Sequence, residues 1–359
     1  MNSLSASIGS EMNQTYISIG SMQARGIIPN NDLNRLNVNI RNSTDLIKNV
    51  LELDLSVSYT NHKDENMMTQ GQYHNPLLPL YLFPRGDDFE KYKVYERYNP
   101  ERNFKTQFWP YLNQGLGMQN PYWITNKEKF KNKTDRYSLT ASLKYNVLDW
   151  LNVIGRVRMD NTDNIYTRKI YASSDLLFAS ENGYYQNRRT ADRQVYADIL
   201  ANFDKRFDNG ISLTSTVGAS ILDMRNDVSG LEGFLSQVPD FFSFSNIELA
   251  NQQTKPIQSF YRDKTEAIFA TVQVGYKSLV YLDLTARNEW ASPLAFTMDG
   301  ISFFYPSVGV SGVFSDIFKL PTNIISFMKM RASSSEVGNA PRRYLTRNSY
   351  GMSNVGTLD

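Results

Sequence analysis

The sequence predicts an all-β fold: an antiparallel up-and-down transmembrane β-barrel, incomplete, with about twelve strands joined alternately by short turns and long extracellular loops. Three observations lead there. Apolar and polar residues alternate with a period of two in many separate segments. The segments are about 9–13 residues long, close to the length of a tilted membrane-crossing strand. The links between them are short and long by turns.

In chain order the segments fall at 2–9, 13–20, 33–41, 51–60, 135–145, 150–160, 194–205, 211–222, 264–276, 279–290, 302–313 and 324–333. The first already alternates, with no charged start, apolar core and small-residue cleavage site of a signal peptide before it. Leu51, Leu53, Leu55, Val57 and Tyr59 interleave with Glu52, Asp54, Ser56 and Ser58. Tyr137, Leu139, Ala141, Leu143 and Tyr145 interleave with Ser138, Thr140, Ser142 and Lys144. Leu151, Val153, Gly155, Val157 and Met159 face away from Asn152, Arg156, Arg158 and Asp160, with Ile154 breaking the pattern. Val280, Leu282, Leu284 and Ala286 interleave with Tyr281, Asp283, Thr285 and Arg287. In a strand each set takes one face.

Short links fall at 9–12, 42–50, 146–149, 206–210, 277–278 and 314–323, and long ones include 61–134, 161–193 and 223–263. A soluble β-sandwich has turns at more even spacing and no reason to gather its long loops at one end. The polar face carries charges such as Glu52, Asp54, Arg156 and Arg158. These are costly inside a sandwich core and cheap beside a wet lumen, although a sheet with one solvated face would hold them as cheaply.

Composition closes other routes. With no cysteine among 359 residues, disulfides, thiolate chemistry and cysteine-ligated zinc are excluded. A net charge of +2 is not that of an obligate nucleic-acid binder. No run reaches the roughly 18 apolar residues that a spanning helix needs. His62 and His74 lie twelve residues apart in one predicted loop, without the spacing of a metal helix, and read as exposed loop residues. No Gly-x-Ser-x-Gly elbow accompanies them. Asp87 and Asp88 lack the pattern of a calcium cage and read as solvated. The expectation is a protein that is not an enzyme, with no cofactor and no metal.

Several segments also carry a family likeness. YPSVGVS at 305–311, FSD at 314–316, FKLP at 318–321 and MRASSSEVGN at 330–339 resemble runs of the SusC/RagA family of TonB-linked outer-membrane proteins. RNEWAS at 287–292 is similar to the strand end preceding them, and GIIPNN at 26–31, FPRG at 83–86 and QNPYW at 119–123 look like loops of the same proteins. The resemblance covers nearly the whole chain, in the family's order. It implies a TonB-dependent receptor in the outer membrane of a Bacteroidetes-type bacterium, importing glycans or peptides. It further implies a SusD-like surface lipoprotein as partner and energy from the TonB complex. The family's signal peptide, TonB-contacting segment and plug are not recognised, and barrels of this size have roughly 22 strands. Residues 1–359 are therefore expected to form part of a barrel domain, inactive alone.

The link at 61–134 is rich in aromatics, unlike a disordered linker. Aromatic faces stack on sugar rings or peptide side chains, which makes Trp109, Tyr111, Tyr122 and Trp123 candidate ligand-binding residues, with Tyr184 and Tyr185 in the next long link. The plain alternative is that such rings pack the loop's own core or form the barrel's interfacial girdle. Three rival functions stay open: a passive porin-like barrel, a surface binding or adhesion protein anchored by a barrel, and a soluble β-sandwich.

Overall fold

The computed structural model describes residues 1–67, 71–111, 118–295, 302–321, 323–343 and 345. Its centre is one antiparallel sheet of twelve strands in chain order. These are β1 (Asn2–Gly9), β2 (Asn13–Arg25), β3 (Asp32–Ile47), β4 (Leu51–Glu65), β7 (Glu128–Leu148), β8 (Leu151–Tyr171), β9 (Gly183–Arg206), β10 (Ile211–Phe234), β11 (Lys255–Tyr276), β12 (Val280–Ala291), β13 (Ser302–Val313) and β14 (Lys329–Ser335). Among the described residues the sheet is open, with β1 and β14 at its edges. A separate hairpin, β5 (Glu96–Asn99) and β6 (Phe104–Gln107), lies in the link between β4 and β7 with two short helices, α1 (Leu77–Tyr81) and α2 (Pro121–Lys127). A third short helix, α3 (Phe314–Ile317), joins β13 to β14.

The alternating runs meet across the strands. Leu53, Leu143 and Gly155 lie side by side, then Ile199, Ala219 and Ile268, so one face carries a continuous apolar band. This face is the more exposed one. Leu139 is 41%, Val157 46%, Ile199 58% and Val308 48% exposed, whereas Asp198 on the other face is 7% exposed. A sheet of a water-soluble protein does the reverse, because leaving apolar area in water costs about 25 cal/mol per Å². The ten strands inside the two edges, about 4.8 Å apart and each carrying the apolar face over about ten residues, give a band of roughly 1,600 Å². That is several times the largest apolar patch of an ordinary monomer.

The band crosses the sheet obliquely. Ile19, in the apolar run of β2, lies on one perpendicular with Val38, Tyr59, Tyr137, Asn161, Arg193, Arg225 and Arg262. The apolar run of β11 is centred instead on Val272, ten residues further towards its short turn. Spread over the seven steps from β2 to β11, this displacement keeps the band level when the strands tilt by roughly 40–45°. Membrane barrels have that tilt. Aromatics flank the band: Tyr59 and Tyr137 on one side, Tyr145 and Phe203 on the other, with Trp150 stacked on Phe203 at 6.2 Å.

The opposite face is a polar ladder. Arg41 pairs with Asp54 at 2.8 Å, Arg136 with Asp160 at 2.7 Å, and Arg156 with Asp198 at 2.6 Å. The Tyr196 hydroxyl donates to the same Asp198 at 2.8 Å. Each cation sits opposite or diagonal to its carboxylate on a neighbouring strand, as cross-strand pairing allows.

Two predicted long links are mostly strand. The link at 161–193 shrinks to 172–182 and that at 223–263 to 235–254, because β8 to β11 run for 21–24 residues. Beyond the band both faces carry polar residues, so no alternation marks these extensions, yet the backbone ladder continues.

Candidate functional site

The link between β4 and β7 folds into a cap at the long-loop end of the sheet. Asn120 fastens it. Its side-chain oxygen accepts from the Tyr122 N–H at 2.9 Å, capping α2, while its amide donates to the carbonyls of Tyr92 (2.9 Å) and Phe108 (3.0 Å). Pro121 follows at the first helical turn, where a missing N–H costs nothing. Glu96 on β5 pairs with Lys127 at 2.7 Å and Lys105 at 3.2 Å, tying the hairpin to α2.

Below the hairpin runs a buried polar chain. The Gln119 amide donates to Glu128 at 2.6 Å, and its oxygen accepts from Gln107 (3.1 Å) and the Asp175 N–H (2.8 Å). The Gln107 amide also reaches the Ser173 carbonyl at 3.1 Å. Glu128 meets His74 Nδ1 at 2.7 Å, and Arg168 donates to His74 Nε2 at 2.9 Å. Arginine can only donate, so Nε2 accepts and Nδ1–H donates to Glu128. His74 is therefore a largely buried neutral linker between cap and sheet rather than an exposed loop residue. His62 likewise stands in β4, 3.1 Å from Asp64.

The aromatics form the cap's own core. Trp109 packs edge-on against Tyr111 (5.1 Å) and Tyr92 (5.5 Å), and Phe83 meets Tyr111 at 5.4 Å. Tyr122 stacks on Phe89 at 5.6 Å. Each such pair adds about 0.5–1.5 kcal/mol beyond area burial. The hydroxyls of Tyr111 and Tyr92 both donate to Asp87, the second at 2.6 Å. Those bonds, Tyr111 first, hold the Asp87 carboxyl well below the usual range and push the Tyr111 phenol up. Asp87 is thus a structural acceptor rather than a solvated loop residue.

Two cavities share Trp109 and Met118. One, of about 190 Å³, is lined by Leu82, Phe83, Pro84 and Tyr111; the other, of about 340 Å³, by Gln107, Gln119, Ser173 and Asp175. Trp109 therefore borders both hollows, the second of which also brings polar side chains together.

No protein-family model and no curated protein matches this chain. Among solved structures it is similar to the RagAB peptide transporter, with a TM-score of 0.70 and 16% identity, over 94% of this chain and 36% of that one. The RagAB peptide importer in its open-open state gives 0.69 and 16%, over 93% and 36%. The closed form of the ferric-catecholate import receptor Fiu from E. coli gives 0.52 and 10%, over 88% and 46%. The fold is that of a TonB-dependent receptor barrel. The chain spans between about a third and a half of those chains.

Within this receptor-like sheet the six predicted ligand residues separate. Trp109 and Tyr111 line the cavities. Tyr122 packs on Phe89. Trp123 is only 1% exposed and donates its indole N–H to Ser174 at 2.8 Å, so its ring is an interior tie to the 172–182 link, out of a ligand's reach. Tyr184 and Tyr185 are neighbours in β9 and point to opposite faces, Tyr184 towards Glu232 at 3.2 Å and Tyr185 towards Phe244 at 5.7 Å. They do not form one site. Gln107 and Gln119 were missed, because uncharged amides in an aromatic loop carry no spacing signal.

Proposed function

We propose that this chain is part of a TonB-dependent outer-membrane importer of the SusC/RagA type, taking up nutrient oligomers, peptide or glycan, in a Bacteroidetes-type cell. One observation carries the membrane reading: a twelve-stranded sheet exposes its apolar face and tilts that band to a level belt. The SusC/RagA-like runs and the likeness to RagAB support the transport reading. On this reading residues 1–359 lie within the barrel domain, a SusD-like lipoprotein covers the long-loop end, and the TonB complex supplies energy through the segment such receptors carry ahead of the barrel. The chain is read as a carrier and not an enzyme. Trp109 and Tyr111 are the residues proposed to touch the cargo, with Gln107 and Gln119 beside them.

The test is uptake of fluorescent peptide and oligosaccharide mixtures by cells carrying the intact gene, with and without TonB. Uptake that needs TonB, and falls several-fold in Trp109→Ala with outer-membrane levels unchanged, supports the proposal. Equal uptake without TonB would make this a passive barrel.

A further inference from the structure

The apolar face of the sheet holds a groove of about 780 Å³ across β8 to β12. Its floor is made of small residues, Gly155, Ala197 and Ala219, and its walls of Val157, Ile221 and Ile268. A Cβ built on Gly155 meets nothing within 4 Å, so the hollow there opens outward. Next to lipid the hydrophobic effect supplies no drive, and what selects an occupant is van der Waals packing into such hollows.

The same strands carry an unusual row of charge on the same face. Arg193 of β9, Arg225 of β10 and Arg262 of β11 are direct cross-strand neighbours. Like charges placed so are destabilising unless an anion lies among them. Asp223 takes Arg262, and Arg225 at 3.5 Å; Lys264 pairs with Glu266 at 2.7 Å. Arg193 has no carboxylate partner among the described residues, and Asp227, further out, forms no ion pair there. Arg193 stands two residues beyond Val195, where the unbroken apolar run of β9 on that face ends. It therefore sits where the band gives way to the polar layer.

We infer that this face binds a phosphorylated lipid of the surrounding leaflet, its phosphate on Arg193 and Arg225 and one acyl chain in the groove below. Both halves are required: arginine forks match phosphate oxygens, and the hollow beneath them is shaped for a hydrocarbon rather than a soluble ion. The inference rests on the membrane reading above.

The test uses the full chain in detergent and native mass spectrometry, with monophosphoryl lipid A, its dephosphorylated counterpart and inorganic phosphate as probes. The phosphorylated lipid should bind about tenfold more tightly than the dephosphorylated one. Arg193→Gln should weaken it about fivefold, the equivalent of about 1 kcal/mol for one arginine near a membrane surface. Gly155→Leu, whose Cβ enters open space at the groove floor, should weaken both lipids alike. Inorganic phosphate at the lipid's concentration should not displace it. Equal binding of the two lipids, or an unchanged Arg193→Gln, overturns the inference. Displacement by phosphate together with an unaffected Gly155→Leu would show an anion site without a lipid and also overturns it. A chain that never enters vesicles of phosphatidylethanolamine and phosphatidylglycerol sinks the membrane reading itself; one that enters but does not discriminate sinks only this inference.

Discussion

An arginine placed on one face of β7 or the other should separate lipid from lumen. Ala141 is the midpoint of the apolar run from Tyr137 to Tyr145 and lies between Leu55 and Val157. Ser142, the next residue, belongs to the polar face between Asp54 and Arg156. Ala141→Arg puts a charge at the middle of the band and should cost about 2–4 kcal/mol, the measured range for arginine at a bilayer midplane. Ser142→Arg adds a cation next to a carboxylate in a wet, half-open face and should cost well under 1 kcal/mol. Asn61→Arg gives a depth control. It is on the apolar side of β4, six residues from Leu55, or about 15 Å along the membrane normal at a tilt near 40°. There the cost should fall to about 0–1 kcal/mol. The assay is urea-dependent folding into phosphatidylcholine vesicles, followed by tryptophan emission and by the gel shift of heated against unheated samples. A smaller penalty at Ala141 than at Ser142 would refute the assignment of faces. Equal penalties at Ala141 and Asn61 would refute the level band.

Two further outcomes concern the cap. Asn120→Ala removes an N-cap and leaves the buried Tyr92 and Phe108 carbonyls without donors, so the cap should lose about 1–3 kcal/mol; hydrogen exchange should speed up across 89–127 while the strands stay protected. Because the folded Asp87 is depressed, its contribution is complete above the ordinary aspartate value of about 4 and is lost as pH falls below it. Trp109 emission should hold steady from pH 7 to 5 and change only from about pH 4 downward, whereas Asp87→Asn should show the altered emission at every pH. A transition centred near pH 6 would remove Asp87 as its cause.

Strand existence was legible where one face is apolar and the other polar, and strand length was not. The runs at 137–145 and 151–159 announce themselves because a slip of one residue would turn every apolar side chain to the wrong face. Beyond Met159, β8 continues through Asn161, Asp163, Arg168 and Lys169 with polar residues on both faces, and only the backbone pairing to β7 and β9 reveals a strand. The cap shows the same division. Its aromatic richness marked it as folded, yet which rings line a cavity and which are interior depended on contacts with the 172–182 link, as when Trp123 meets Ser174 across 51 residues. The choice of Trp109 over Trp123 therefore needed the tertiary structure, as did the pairing of His74 with Glu128 and Arg168.

The long strand extensions have a consequence for transport. Ile199 marks the middle of the band on β9, and the strand runs 16 residues from there to Gly183, where the cap's partner link begins. At about 3.3 Å per residue and a tilt near 40°, that end stands roughly 40 Å above the midplane. Against a hydrocarbon core about 30 Å thick, Gly183 would then stand some 25 Å clear of the lipid, beside the link whose Ser173 and Asp175 line one of the Trp109 cavities. On the proposed importer reading, cargo held there would still be outside, and reaching the far side would require a descent along the charged ladder of Arg41, Arg136, Arg156 and their carboxylates. On that reading capture and passage are separate steps. Substitutions at Trp109 should alter the concentration dependence of uptake, whereas substitutions in the ladder should alter its maximal rate. A Trp109→Ala variant that lowers only the maximal rate would place the cavities on the passage route instead.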